Sequence, residues 1–119
     1  MDFEILDVYR LAEKLGNQIW NVVIHWSNFE RDSLGKQLIR SGDSIAANIA
    51  EGTGRGSYQD NKRFIKIARA SLYETRHWLR SAYQRKLIDV TQAEQIRPII
   101  EELAPRLNAY LNSIGKQNQ

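Results

Sequence analysis

The chain contains no cysteine. That rules out a disulfide framework, a thiolate metal site and a thiol nucleophile, and it fits a reducing compartment. Histidine is scarce: His25 and His77 are the only two. Neither belongs to an HExxH pattern or has a neighbouring His or Cys, so no metal centre is expected. The paired Glu and ExxH pattern of carboxylate-bridged metal bundles is missing, as is the elbow motif of a Ser-His-Asp site. The expectation is a non-enzyme without metal or cofactor. No run of 18 apolar residues occurs, so a membrane-spanning helix is not expected. The first residues, MDFEILDVYRLAEK, mix acids and bases where a signal peptide has a basic start and an apolar stretch, and cytoplasm is the expected location. Strand-like alternation is almost absent.

What remains is helical periodicity. With 119 residues, 42% hydrophobic and 26% charged, the chain suits one globular domain over residues 1–119. Val8, Ala12, Leu15, Ile19, Val22 and Trp26 recur at threes and fours and predict a first helix over about residues 5–28. Leu34, Leu38, Gly42, Ile45 and Ile49 predict a second, with Asp32 or Ser33 as its N-cap. The third runs from Ser57 to about Lys86, burying Phe64, Ala68, Ser71, Leu72, Thr75, Leu79 and Ala82. The fourth opens with a capping-box spacing at Thr91 and Glu94, buries Ile96, Ile99, Leu103, Leu107, Tyr110 and Ile114, and ends at Gly115. Pro98 and Pro105 lie seven apart on the face opposite that stripe, which predicts a bent helix whose freed carbonyls face water. Four such helices with short connections predict an all-α, antiparallel up-and-down four-helix bundle.

The stretch GTGRGS (52–57) follows a helix and lacks the Lys-Ser/Thr pair of a phosphate-binding P-loop. It is better explained as a corner, with Gly52 as a left-handed cap, Gly54 and Gly56 allowing the reversal, and Ser57 capping the third helix. A helix N-terminus beside Arg55 leaves an anion site open. Asn48 and Glu51 fit a structural network, Glu51 lying four residues before Arg55. On the second helix Gly35, Ile39, Gly42, Ala46 and Ala50 form a ridge of mostly small residues, suited either to a neighbouring helix or to another subunit. Gln37, Ser41, Ser44 and Asn48 form a polar ridge beside it. Tyr9, Gly16 and Trp20 lie off the main stripe of helix one and suggest apolar surface for a partner.

Charge is uneven. The net charge is +3, yet residues 55–86 hold nine of 17 Lys/Arg and two of 14 Asp/Glu. Within this segment Lys62, Lys66, Arg69, Tyr73, Arg76 and Arg80 alternate spacings of four and three, which places them within about 80° of one helix face. Cations at that spacing can neutralise successive phosphates and a tyrosine can stack on an exposed base, a pairing suited to single-stranded or structured RNA, with the choice of RNA or DNA left open. The alternative is a solvated face, or one that meets Glu101 and Glu102. Gathering several copies in an oligomer would favour nucleic acid by summing the positive field.

The stretches QLIRSGDSIAANIAEGTGRGS (37–57) and RFIKIARASLYETRHWL (63–79) resemble the bacterial four-helix-bundle proteins first noted in intervening sequences of large-subunit ribosomal RNA genes. The shared pattern includes S-I-x-x-N-I-A-E-G, then G-R-x-S, then R-F-[LI]-x-x-A. The likeness covers most of the chain, and Gly42, Ala70 and the Phe29-Glu30 corner depart from it. The motif maps onto Ser44, Ile45, Asn48, Ile49, Glu51, Gly52, Arg55 and Ser57 as a signature corner. The resemblance implies a ring-shaped homopentamer. A related branch, the accessory variability proteins of diversity-generating retroelements, implies template RNA and a reverse transcriptase as partners.

Overall fold

The computed structural model describes residues 2–116. A single 3-10 turn, Phe3–Ile5, leads into helix α1 (Asp7–Val23). A short turn, Asn28–Glu30, and a π-helical turn, Arg31–Gly35, run on into α2 (Lys36–Thr53), followed by α3 (Tyr58–Gln84) and α4 (Val90–Ser113). No strand occurs among the described residues. The molecule measures 52 × 23 × 20 Å, and the 27 residues of α3 at about 1.5 Å each span roughly 40 Å of that length.

Each helix packs on two others, α1 on α2 and α4, and α3 on α2 and α4. The apolar spacing supplies the core: Leu15, Ile19, Ile45, Ile49, Leu103 and Leu107 are all but excluded from solvent. On α3 the stripe is one residue out of phase with the sequence expectation at its start. Ile65 is fully buried and Phe64 only half-buried, although Phe64 keeps the helical spacing of Ala68, Leu72, Thr75, Leu79 and Ala82; its ring instead meets the guanidinium groups of Arg55 and Arg63, each 4.7 Å from its centre. On α4 Leu111 takes the core position expected of Tyr110, which is half-buried.

Three helix boundaries differ from expectation, each for a local reason. α1 stops at Val23 because Trp26, at the right spacing for a continued stripe, is used as a plug. Its indole Nε1 donates to the Leu87 carbonyl at 3.0 Å and ties the first corner to the third. The next helical turn is capped by Ser27, not by Asp32 or Ser33. Ser27 Oγ accepts from Glu30 N and Glu30 Oε1 accepts from Ser27 N, a reciprocal box that satisfies two otherwise orphaned donors. The fourth helix likewise opens two residues early. Asp89 Oδ1 accepts from Gln92 N at 2.8 Å and Gln92 Oε1 from Asp89 N at 3.0 Å, ahead of the Thr91 and Glu94 pair. Pro98 and Pro105 stand exposed within α4 without ending it. Gly115 closes the last of the described turns with a φ of +82°.

The small ridge of α2 is in part an internal contact. A Cβ on Gly42 would lie 2.9 Å from Ile19 Cδ1, and one on Gly35 would lie 2.8 Å from Val23 Cγ1. Gly16 of α1 is also turned inward, against Asp43, and is itself buried. Trp20 is 52% exposed, and Tyr9 is half-buried with its ring edge against Phe3.

Candidate nucleic-acid interface

The helix α3 sets one flank against α2 and presents its cationic flank along α4. On the α2 side runs a seam of hydroxyls. Thr75 Oγ1 and Ser41 Oγ lie 3.0 Å apart, both side chains excluded from solvent, and Ser71 Oγ meets Ser44 Oγ at 3.2 Å. Asn48 Nδ2 donates to the Ser44 carbonyl and hydroxyl at 2.8 and 2.9 Å. Short side chains let the two helices approach, and mutual hydrogen bonding removes the desolvation cost of burying them. Ser41, placed by the sequence on a polar ridge, is thus a core residue.

The seam continues outward to Glu74, which accepts from Trp78 Nε1 at 3.0 Å and pairs with Arg40 across the helices. The Trp78 hydrogen bond, then Arg40 and the nearby His77, hold the Glu74 carboxyl below its ordinary pKa, although desolvation acts the other way. A depressed carboxylate contributes stability above its unfolded pKa and loses it as pH falls through the folded one. Glu74→Gln is therefore expected to lower the urea midpoint near pH 7 and to leave it unchanged near pH 3; an equal loss at both would show that shape, not charge, holds this contact.

The signature corner divides into separate tasks. Ser44 and Asn48 belong to the seam. Glu51 Oε1 and Arg55 Nη2 are 3.3 Å apart, as the spacing of four allows. Ser57 Oγ caps α3 by accepting from Asp60 N at 3.1 Å. Gly52 departs from expectation. It lies inside α2, and among the described residues Gly115 alone of the glycines has a positive φ. The need at Gly52 is space, since a Cβ there would fall 2.6 Å from Asn61 Oδ1 and 3.1 Å from the Asn61 carbonyl oxygen. Left-handed geometry plays no part in the α2–α3 corner, where Gly54 has φ −79°.

The cationic flank is placed as follows. Lys62 is half-buried, Lys66, Arg76 and Arg80 are exposed, and Tyr73 is 59% exposed with the Arg76 guanidinium 5.8 Å from its ring centre. Among the described residues none of these four cations, nor Arg69, is in an ion pair. Arg69 is engaged differently, donating to Asn108 Oδ1 on α4 at 3.2 Å. The acids nearest in the sequence expectation, Glu101 and Glu102, do not neutralise the flank. Glu102 pairs with Arg106 at 3.0 Å, and Glu101 stands beside Arg76 and Arg80 without reaching ion-pair distance. Arg55 lies apart at the corner, its guanidinium 4.7 Å from the Phe64 ring centre.

Two arginines escape a helical-wheel reading. Arg63 falls about 100° off the stripe yet places its guanidinium 4.7 Å from the same Phe64 ring centre, so the corner carries two cations on one aromatic. Arg97 reaches the Arg76 and Arg80 neighbourhood from α4, which no single-helix pattern could reveal. Among the described residues no group of three or more His, Cys, Asp or Glu comes together to hold a metal, and no helix is long and apolar enough to cross a membrane.

No curated protein matches the chain. Among solved structures it is similar to a protein of unknown function from the S23 ribosomal protein family of Bacteroides thetaiotaomicron, with a TM-score of 0.76 and 27% identity, covering 87% of this chain and 97% of that one. The model of the 23S rRNA-intervening sequence proteins matches residues 4–109. With nearly the whole helical core inside that match, the chain belongs to the 23S rRNA-intervening sequence protein family.

Proposed function

We propose that the protein is an oligomeric, non-enzymatic accessory of the bacterial cytoplasm that binds structured RNA through the cationic flank of α3. The observation that carries this reading is the set of cations left without carboxylate partners, Lys62, Lys66, Arg76 and Arg80. Like charges one helical turn apart repel by a few tenths of a kcal/mol each. A flank that keeps them unneutralised gives up stability, and phosphates would restore it. Tyr73, exposed within the row, adds a stacking surface for an unpaired base, which favours structured RNA over duplex DNA.

The helices are read as an antiparallel up-and-down bundle, supported by contacts that run in opposite senses: Ser41 meets Thr75, and Ser44 meets Ser71. The reading includes a homopentameric ring, in which several weak phosphate surfaces act as one. A reverse transcriptase is the protein partner proposed from the likeness to retroelement accessory proteins. Light scattering of the protein with and without a structured RNA, at low and moderate salt, tests the reading. An oligomer that takes up RNA and releases it as salt rises is expected; an oligomer indifferent to RNA at low salt would overturn it.

A second reading, a protein-interaction or structural homo-oligomer without nucleic acid, is favoured by one feature. Glu13 and Asp43 flank a groove between α1 and α2 whose floor includes Ala46, Ala47 and Ala50. Partial burial raises the pKa of Asp43, yet its side chain remains exposed at the groove, where a cation from a second copy could pair with it.

A further inference from the structure

The helices α3 and α4 share the least extensive of the four main helix interfaces, and a groove of about 420 Å³ opens between them. Its floor is aliphatic. Leu79, Ile88 and Ile96 are buried there, and Ile100 is half-buried. Its rim is cationic, with Arg76 and Arg80 on the α3 side and Arg97 on the α4 side against a single acid, Glu101. Among the described residues none of the three arginines is in an ion pair.

The floor and the rim ask for different chemistry from one occupant. A nucleobase inserted between them would leave its polar edge facing aliphatic carbon, at a cost of about 1–3 kcal/mol for each unsatisfied group. Leucine-sized side chains face no such penalty and gain about 25 cal/mol for each Å² of apolar surface removed from water. Carboxylates beside those side chains would meet guanidinium groups, which bind them in a two-pronged geometry. Both walls are helical. Arg76 and Arg80, Leu79 and Tyr83, Ile96 and Ile100 each stand one turn apart, so the groove offers the ridge spacing a third helix needs.

We propose that the α3–α4 groove is a docking site for an acidic amphipathic helix of a partner protein, its apolar residues on the aliphatic floor and its carboxylates on Arg76, Arg80 and Arg97. Docking and RNA binding exclude one another locally, because Arg76 and Arg80 belong to both surfaces. Arg97 and the aliphatic floor belong to the groove alone; Lys62 and Lys66 belong to the proposed RNA face alone.

The test is a fluorescence-anisotropy titration of the full chain with a labelled, designed helical peptide carrying leucines at i, i+4 and i+7 flanked by glutamates. Micromolar binding is expected, weakened about tenfold by the exposed Arg97→Glu and left unchanged by Lys66→Glu. A second peptide with serine in place of leucine and the same glutamates is expected not to bind, and circular dichroism checks that the variants remain folded. Absence of binding at about 1 mM peptide would overturn the proposal. Equal binding by the serine peptide would do the same, reducing the groove to a general cationic patch, as would an Arg97→Glu protein that is folded and binds like the wild type. Lys66→Glu is expected to weaken RNA binding, so failure of the RNA reading and failure of the docking reading give different results.

Discussion

The Lys66→Glu/Arg76→Glu double variant is expected to bind structured RNA about a hundredfold more weakly than the wild type at low salt, with its fold and subunit number unchanged. Both residues are exposed and neither is ion-paired among the described residues, so reversal removes attraction without breaking a structural pair. Arg69 is the poorer choice, since its bond to Asn108 joins α3 to α4 and its loss would mix binding with packing. Each phosphate contact contributes about 0.7 to 0.9 to the slope of log affinity against log salt. Two lost contacts should therefore flatten the slope by about 1.5 per protomer, a signature that a general loss of folding would not give. Affinity and salt slope are read together by filter binding across a salt series. If RNA binding is negligible in the wild type and the reversal instead dissociates the oligomer, the α3 flank is an intersubunit ion-pair surface and the second reading replaces the first.

Much of the architecture was legible because helix periodicity is a local property. Leu15, Ile19, Ile45, Ile49, Leu103 and Leu107 announce their burial through spacing alone, and the core places them there. The helix ends were less legible because cap signals overlap. Asp89 with Gln92 and Thr91 with Glu94 both have the spacing of a capping box, and both cannot open the same helix; the earlier pair does so. Trp26 fits the apolar stripe of α1 yet serves the corner, a role set by the Leu87 carbonyl 61 residues away. The cationic row on α3 could be read from the sequence, since it too is periodic. Its relation to Arg97 could not, because that neighbourhood exists only once α4 lies beside α3. Gly52 illustrates the same limit: the sequence shows a glycine at a corner but not the neighbour that excludes a Cβ.

That neighbour makes Gly52→Ala and Gly52→Val a sharp pair of experiments. Within a helix, replacing glycine by alanine ordinarily stabilises by about 1 kcal/mol. At Gly52 the new Cβ would stand 2.6 Å from Asn61 Oδ1, 3.1 Å from the Asn61 carbonyl oxygen and 3.1 Å from Phe64 Cβ. An amide can rotate away, but a backbone oxygen and a Cβ move only with α3 itself. Overpacking of this kind costs about 1–3 kcal/mol, so alanine is expected to destabilise by about 1 kcal/mol net. Valine adds two methyl groups to the same crowded site and should cost about 3 kcal/mol, close to 10 °C in melting temperature for a domain of this size. Gly56→Ala provides the contrast. A Cβ there meets nothing within 4 Å, and its φ lies outside the left-handed region, so it is expected to be neutral or to stabilise by about 0.5 kcal/mol through the unfolded chain. Thermal melts of the three variants decide the matter: Gly52→Ala melting at or above the wild type would mean that α3 can yield at Asn61. Phe64, whose ring has the guanidinium groups of Arg55 and Arg63 each 4.7 Å from its centre, would then shift with α3, whereas a fall in melting temperature would mean that the close approach of the two helices requires glycine at this position.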